Sequence, residues 1–92
     1  MNKSELISEV TEKSGLTKKD TGKIVDAVFE SITDALSKGD KVQLIGFGTF
    51  DIRKRKEREG RNPATGDVIT IPEANVPVFK PGKNLKESVR SI

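Results

Sequence analysis

The chain has 92 residues, no cysteine and no histidine, and a formal charge of +3 from 17 Lys or Arg against 14 Asp or Glu. This excludes disulfides, thiolate metal sites and histidine bases, and leaves one small domain whose core is at the edge of self-sufficiency. The charge is uneven: residues 1–52 carry seven Lys against nine acids, a balance of −2, and residues 53–92 carry ten Lys or Arg against five, a balance of +5.

That asymmetry points to a polyanion met by the second half of the chain. The stabilisation missing from so small a core is expected from oligomerisation, because whatever binds only the folded state adds to its stability. No stretch approaches the ~18 apolar residues of a membrane span. The N-terminus MNKSELISEV has no uninterrupted apolar run of signal-peptide type. A soluble intracellular chain without membrane contact is expected.

Asn2 is placed to cap a first helix, with Glu5 three residues on. Leu6, Ile7 and Val10 form its apolar stripe, and Gly15 stops it. Thr17 starts a second helix, with Asp20 near its positive end. Ile24, Val25, Val28, Phe29, Ile32 and Leu36 follow at helical spacing until Gly39. This apolar band is too wide for the short first helix alone and predicts a second chain lying against it. A DNA-reading helix-turn-helix does not fit these two helices. A recognition helix needs base-reading and phosphate-binding groups, whereas this one carries Asp20, Asp26, Glu30 and Asp34.

From Lys41 the period changes to two. Val42 and Leu44, then Phe50 and Ile52, alternate with polar residues in two strand-like runs. IGFGTF lies between them, where Gly46 and Gly48 permit positive φ or a close backbone approach and Phe47 projects into a core. The glycine spacing and following helix of a phosphate loop are missing.

The second run continues into a basic stretch with six Lys or Arg among the nine residues from Arg53 to Arg61. Alternation places Arg53 and Arg55 on one ribbon face and Lys54, Lys56 and Arg58 on the other. NPATG makes the tip, with Asn62, Pro63 and Gly66 as turn residues. Val68, Ile69 and Ile71 bring the chain back. Pro72 and Pro77 are expected to interrupt pairing at an exposed edge. Val76, Val78 and Phe79 form a returning strand. Lys80-Pro81-Gly82-Lys83 opens a last helix where Lys80, Lys83 and Lys86 gather near free helix amides that suit phosphate.

No arrangement of Ser or Asp implies an activated nucleophile, so a binding module is expected rather than an enzyme, with no cofactor, metal or small-molecule substrate. For nucleic acid the parts fit. Lys and Arg give affinity with little sequence information, arginines favour a narrow minor groove, and an exposed proline can wedge a base step. The arm has no aromatic for single-strand stacking, so a duplex is preferred.

MNKSEL, KGDKVQLIGFGTF, GRNPATG and VPVFKPGKNLKESV together resemble the bacterial HU family of histone-like DNA-binding proteins, related to integration host factor, across essentially all 92 residues. The resemblance implies an α+β fold and an intertwined homodimer. Two N-terminal helices make its base, a three-stranded antiparallel sheet extends into a protruding β-ribbon arm, and a short helix ends the chain. Residues 1–92 would form one domain: 1–39 the helical dimerisation part, 40–52 and 74–80 the sheet core, 53–73 the DNA-binding arm, 81–92 the final helix. Pro63 would be the intercalating wedge, with Arg53, Arg55, Arg58, Arg61 and Asn62 contacting DNA around it. Lys80, Lys83, Lys86 and Lys3 would meet flanking phosphates. Phe29, Phe47, Phe50 and Phe79 would form the dimer core. Lys54 and Lys56 stand where the commoner family sequence is less charged, and Ile69 where it often has methionine.

The implied function is architectural: binding and bending duplex DNA through the minor groove with little sequence specificity, compacting and stabilising it. The setting would be cytoplasmic and nucleoid-associated, in a bacterium or phage. The alternatives are a sequence-preferring bending factor like integration host factor, and a protein-interaction adaptor whose basic arm docks on an acidic partner.

Overall fold

The computed structural model describes residues 1–92 and divides into two compact units, residues 1–34 and 35–92. In the first unit lie helix α1 (Lys3–Ser14) and most of helix α2 (Lys18–Ser37). The Asn2 side chain accepts the Glu5 N–H at 2.9 Å, capping α1 as its sequence predicts. At the other end the Gly15 amide donates to the Thr11 carbonyl at 3.1 Å. The Thr17 hydroxyl does for α2 what Asn2 does for α1, accepting the Asp20 N–H at 3.2 Å. Beyond Ser37 the chain closes with Gly39 and Asp40 amides donating to Leu36 and Ala35 carbonyls.

The second unit holds strands β1 (Val42–Leu44), β2 (Gly48–Arg55), β3 (Arg58–Arg61), β4 (Val68–Ile71) and β5 (Ala74–Pro81), then helix α3 (Lys83–Arg90). β1, β2 and β5 form an antiparallel sheet in that order, and β3 pairs with β4 in a separate antiparallel ribbon. The α+β class, three helices and sheet prolonged into an arm are thus as expected. One expectation is corrected. Pro77 does not interrupt its strand, since β5 pairs with β2 without a break from Ala74 to Pro81. β5 lies at the sheet edge, where a residue without an N–H can be accommodated.

Cross-strand partners share a face. Val42, Leu44, Phe50, Ile52 and Phe79 therefore line one side of the sheet; on the other, Thr49, Asp51, Arg53, Arg55 and Lys80 share the surface with Val76 and Val78. On the apolar side the Phe79 ring lies 4.8 Å from Phe50 and 5.5 Å from Phe47, centroid to centroid. This side is largely uncovered: Phe47 is 48% exposed and Phe79 39%. In the first unit Thr21 is enclosed, its hydroxyl donating to the Thr17 carbonyl, and Val25 is the one buried hydrophobic residue of the whole chain. Ile24, Val28 and Phe29 on α2 stay about half exposed.

The accessible area of 7709 Å² compares with about 5,300 Å² for a self-contained monomer of this mass. The difference, about 2,400 Å², exceeds what a standard protein interface buries in total from both partners. One chain alone leaves its core unmade.

Candidate nucleic-acid interface

The β1–β2 turn and the start of α3 are built as one piece. Gly46 sits at φ +87 in a four-residue turn closed by the Phe47 amide on the Leu44 carbonyl at 3.0 Å. Gly48 has no such need. It is buried because a side chain there would strike Phe79 and the Lys80 carbonyl. The Gly82 amide donates to the Phe47 carbonyl at 2.7 Å, so the residue capping α3 is fastened to the turn. This fastening places Lys83 and Lys86 beside the sheet's end. With Arg90 they recur at three and four residues along α3 and, with Glu87 and Val89, line a shallow groove of about 550 Å³. Arg90 is a basic residue that the sequence reading left out, although its spacing from Lys86 was the available signal.

The expected site residues fall into distinct groups. Arg53, Arg55 and Lys80 share the polar face of the sheet. Lys80 is not independent there, since its Nζ lies 3.7 Å from an Asp51 carboxylate oxygen. In the β3–β4 ribbon, Arg58 opposes Ile71 and Arg61 opposes Val68. The two arginines are three positions apart on an alternating strand, an odd step, so they point to opposite ribbon faces. Lys3 belongs to the first unit and forms a 2.6 Å ion pair with Asp26, both side chains well exposed. Phe47, Phe50 and Phe79 come together in the second unit, while Phe29 belongs to α2 of the first.

The arm has more internal structure than its composition suggests. Gly60 opposes Ile69, and a Cβ at Gly60 would lie 3.0 Å from Ile71 Cδ1 and 3.9 Å from Ile69 Cγ1. The two isoleucines therefore close over the bare backbone of Gly60. Between this ribbon and the sheet the ladder is broken, by Lys56 and Glu57 on one strand and by Pro72 and Glu73 on the other. Lys54 and Glu73 form a 3.1 Å ion pair beside the break, exposed enough to contribute only about 0–1 kcal/mol.

At the tip, Pro63 is exposed on a loop closed at several points. The Asn62 amide donates to the Asp67 carbonyl at 2.8 Å and the Gly66 amide to the Asn62 carbonyl at 2.7 Å. The Asn62 side-chain oxygen accepts the Ala64 N–H at 2.9 Å. Chemically the surface offers guanidinium and ammonium donors along a narrow ribbon, with an apolar ring at its end. No helix of the chain is long and apolar enough to cross a membrane.

Comparison with known proteins gives this geometry a family. The family model described as "Bacterial DNA-binding protein" matches residues 1–90. The chain is 64% identical over 90 residues to DNA-binding protein HU of Geobacillus stearothermophilus, covering 98% of this chain and 100% of that one. It is 61% identical over 89 residues to DNA-binding protein HU 1 of Bacillus subtilis, covering 97% of each. Among solved structures, an Anabaena HU–DNA cocrystal structure superposes with a TM-score of 0.95 at 48% identity and complete coverage of both chains. HU from Thermotoga maritima gives 0.68 at 43% identity, covering 97% of this chain and 98% of that one. With its glycine-locked turn, half-exposed phenylalanine cluster and proline-tipped ribbon, the chain belongs to the HU-type bacterial DNA-binding protein family.

Proposed function

We propose that the chain works as a homodimeric, histone-like architectural protein. It binds double-stranded DNA with little sequence preference and bends it through the minor groove. The observation that carries the proposal is the arm: a ribbon with Arg58 and Arg61 on opposite faces, ending in an exposed Pro63 on a braced loop. Guanidinium groups on both faces suit a groove with phosphates on either wall, where neutralisation and counterion release supply affinity without reading bases. A minor groove about 6 Å wide is narrow for a two-stranded ribbon. Unstacking a base step with an apolar wedge bends the duplex toward the major groove and opens the minor groove to the arm. Arg53, Arg55 and Lys80 on the polar sheet face, and Lys83 and Lys86 on α3, supply phosphate contacts along the flanks. Lys3 adds one where its pair with Asp26 yields.

The dimer follows from the missing core. Two chains that cover each other's exposed Phe29, Phe47 and Phe79, with the half-buried Phe50 beside them, bury the apolar area that neither encloses alone. A protein of this kind, bacterial or phage-encoded, is a nucleoid-associated binder and not an enzyme, and the relative crystallised with DNA supports the DNA-binding role.

The test is energy transfer across end-labelled linear, nicked and pre-bent duplexes, with wild type and Pro63→Ala, in excess unlabelled competitor of unrelated sequence. Wild type should bend the linear duplex and favour the distorted ones, and Pro63→Ala should lose bending while its thermal unfolding stays unchanged. Equal bending by both proteins refutes the wedge. Resistance to unrelated competitor would instead mark a sequence-preferring factor. Failure to bind duplex DNA at moderate salt would mark a protein adaptor.

A further inference from the structure

We propose that Asn62 is a positioning residue for Pro63. Its side-chain oxygen closes a turn that sets the attitude of the proline ring before DNA is met. The inference rests on the wedge reading above and deepens it. The proline ring fixes its own φ but leaves ψ free. What constrains ψ is the bond from the Ala64 N–H to Asn62 Oδ1 at 2.9 Å, which spans the proline as an Asx-turn. The donor is a backbone amide, so the side-chain atom facing it must be the carbonyl oxygen and not the NH₂.

The rest of the tip is organised around the same residue. The Asn62 carbonyl accepts the Gly66 amide at 2.7 Å, a return that Gly66 permits at φ +75, and the Asn62 amide donates to Asp67 at 2.8 Å. Thr65 contributes a weaker closure, its hydroxyl accepting the Asp67 N–H at 3.3 Å. Asn62 is thus engaged through its amide, its carbonyl and its side-chain oxygen, and it is less exposed than Pro63 next to it. A wedge held this way enters a base step without first losing the freedom of its own loop, and such preorganisation favours binding.

The alternative role for Asn62 is direct contact with DNA through its NH₂ group. Three variants separate the two. Asn62→Ala removes the acceptor; Asn62→Asp keeps it and adds a charge; Asn62→Ser keeps a shorter, neutral one able to form a similar turn. The measured quantities are the affinity ratio of nicked over linear duplex, the bend of the linear duplex, and hydrogen exchange at the Ala64 and Gly66 amides without DNA. Asn62→Ala should lower the affinity ratio by roughly 2- to 10-fold, the worth of one such hydrogen bond, reduce the bend, and speed exchange at both amides. Asn62→Asp should bind every duplex more weakly yet keep the wild-type ratio, and Asn62→Ser should restore most of it. If all three variants lose the ratio equally, or if Asn62→Ala leaves amide exchange unchanged, the positioning role is overturned. A wild-type protein that binds without bending would instead overturn the wedge reading, whatever the exchange data show.

Discussion

Gly48→Ala tests the packing logic of the sheet more sharply than any truncation. A Cβ built on Gly48 lies 2.5 Å from Phe79 Cζ, 2.6 Å from Phe79 Cε1 and 2.7 Å from the Lys80 carbonyl oxygen. The Phe79 ring cannot simply swing away, since it packs against Phe50 and Phe47. The Lys80 carbonyl cannot retreat without disturbing β5, which pairs with β2 at this point. Overpacking against a fixed backbone costs about 2–3 kcal/mol, which lowers the unfolding midpoint of a chain this size by roughly 10–20 °C. The assay is thermal and urea unfolding without DNA, at one fixed chain concentration. Gly22→Ala serves as the internal control. Its Cβ meets nothing within 4 Å, it lies inside α2, and it should stabilise by about 0.5–1 kcal/mol through helix propensity. If Gly48→Ala unfolds within a few tenths of a kcal/mol of wild type, the close approach in the sheet is not as described.

The logarithm of DNA affinity should fall by about 0.9 for each phosphate neutralised per unit of log salt. Four arginines from each chain, eight in the proposed homodimer, would therefore give a slope of about −7 before any lysine contact is added, and a flat response would remove the electrostatic account. The unfolding midpoint should fall on dilution, as it does when folding and association are one step. Phe47→Ala should steepen that loss and cost about 3–5 kcal/mol if a second chain covers the ring. A much smaller cost, with no dependence on concentration, would mean the ring stays as open as it is in the single chain.

The elements legible in the sequence are those whose causes are local. Asn2 and Thr17 cap the helices, and the turn from Leu44 to Phe47 closes within four residues, so residue type and spacing suffice. Gly48 shows where local reasoning stops. Glycine there could mean positive φ or a close approach, and only Phe79, thirty-one residues later, decides for the approach. The ion pairs are lost for the same reason, because Lys3–Asp26, Lys54–Glu73 and Asp51–Lys80 join residues distant in sequence. The arm's charge was visible from composition, but Ile69 and Ile71 closing over Gly60 needed the β3–β4 register. The exposed proline at the tip suggests a wedge from its chemistry alone, while the proposed assignment of the flanking lysines and the dimer phenylalanines rests on the resemblance to HU proteins.

The interruption of the ladder at Lys56–Glu57 and Pro72–Glu73 has a mechanical consequence. A continuous ladder transmits torque, so an unbroken ribbon would hold its tip at an angle dictated by the sheet. A gap in hydrogen bonding on both strands at the same level behaves as a swivel, and the exposed pair of Lys54 with Glu73 is too weak to lock it. If the arm enters a groove as proposed, the platform can stay rigid while the ribbon takes its heading from the duplex. On the proposed function, such a joint would let one protein meet duplexes of different curvature, and tolerance of sequence would then come from the joint as well as from the charges.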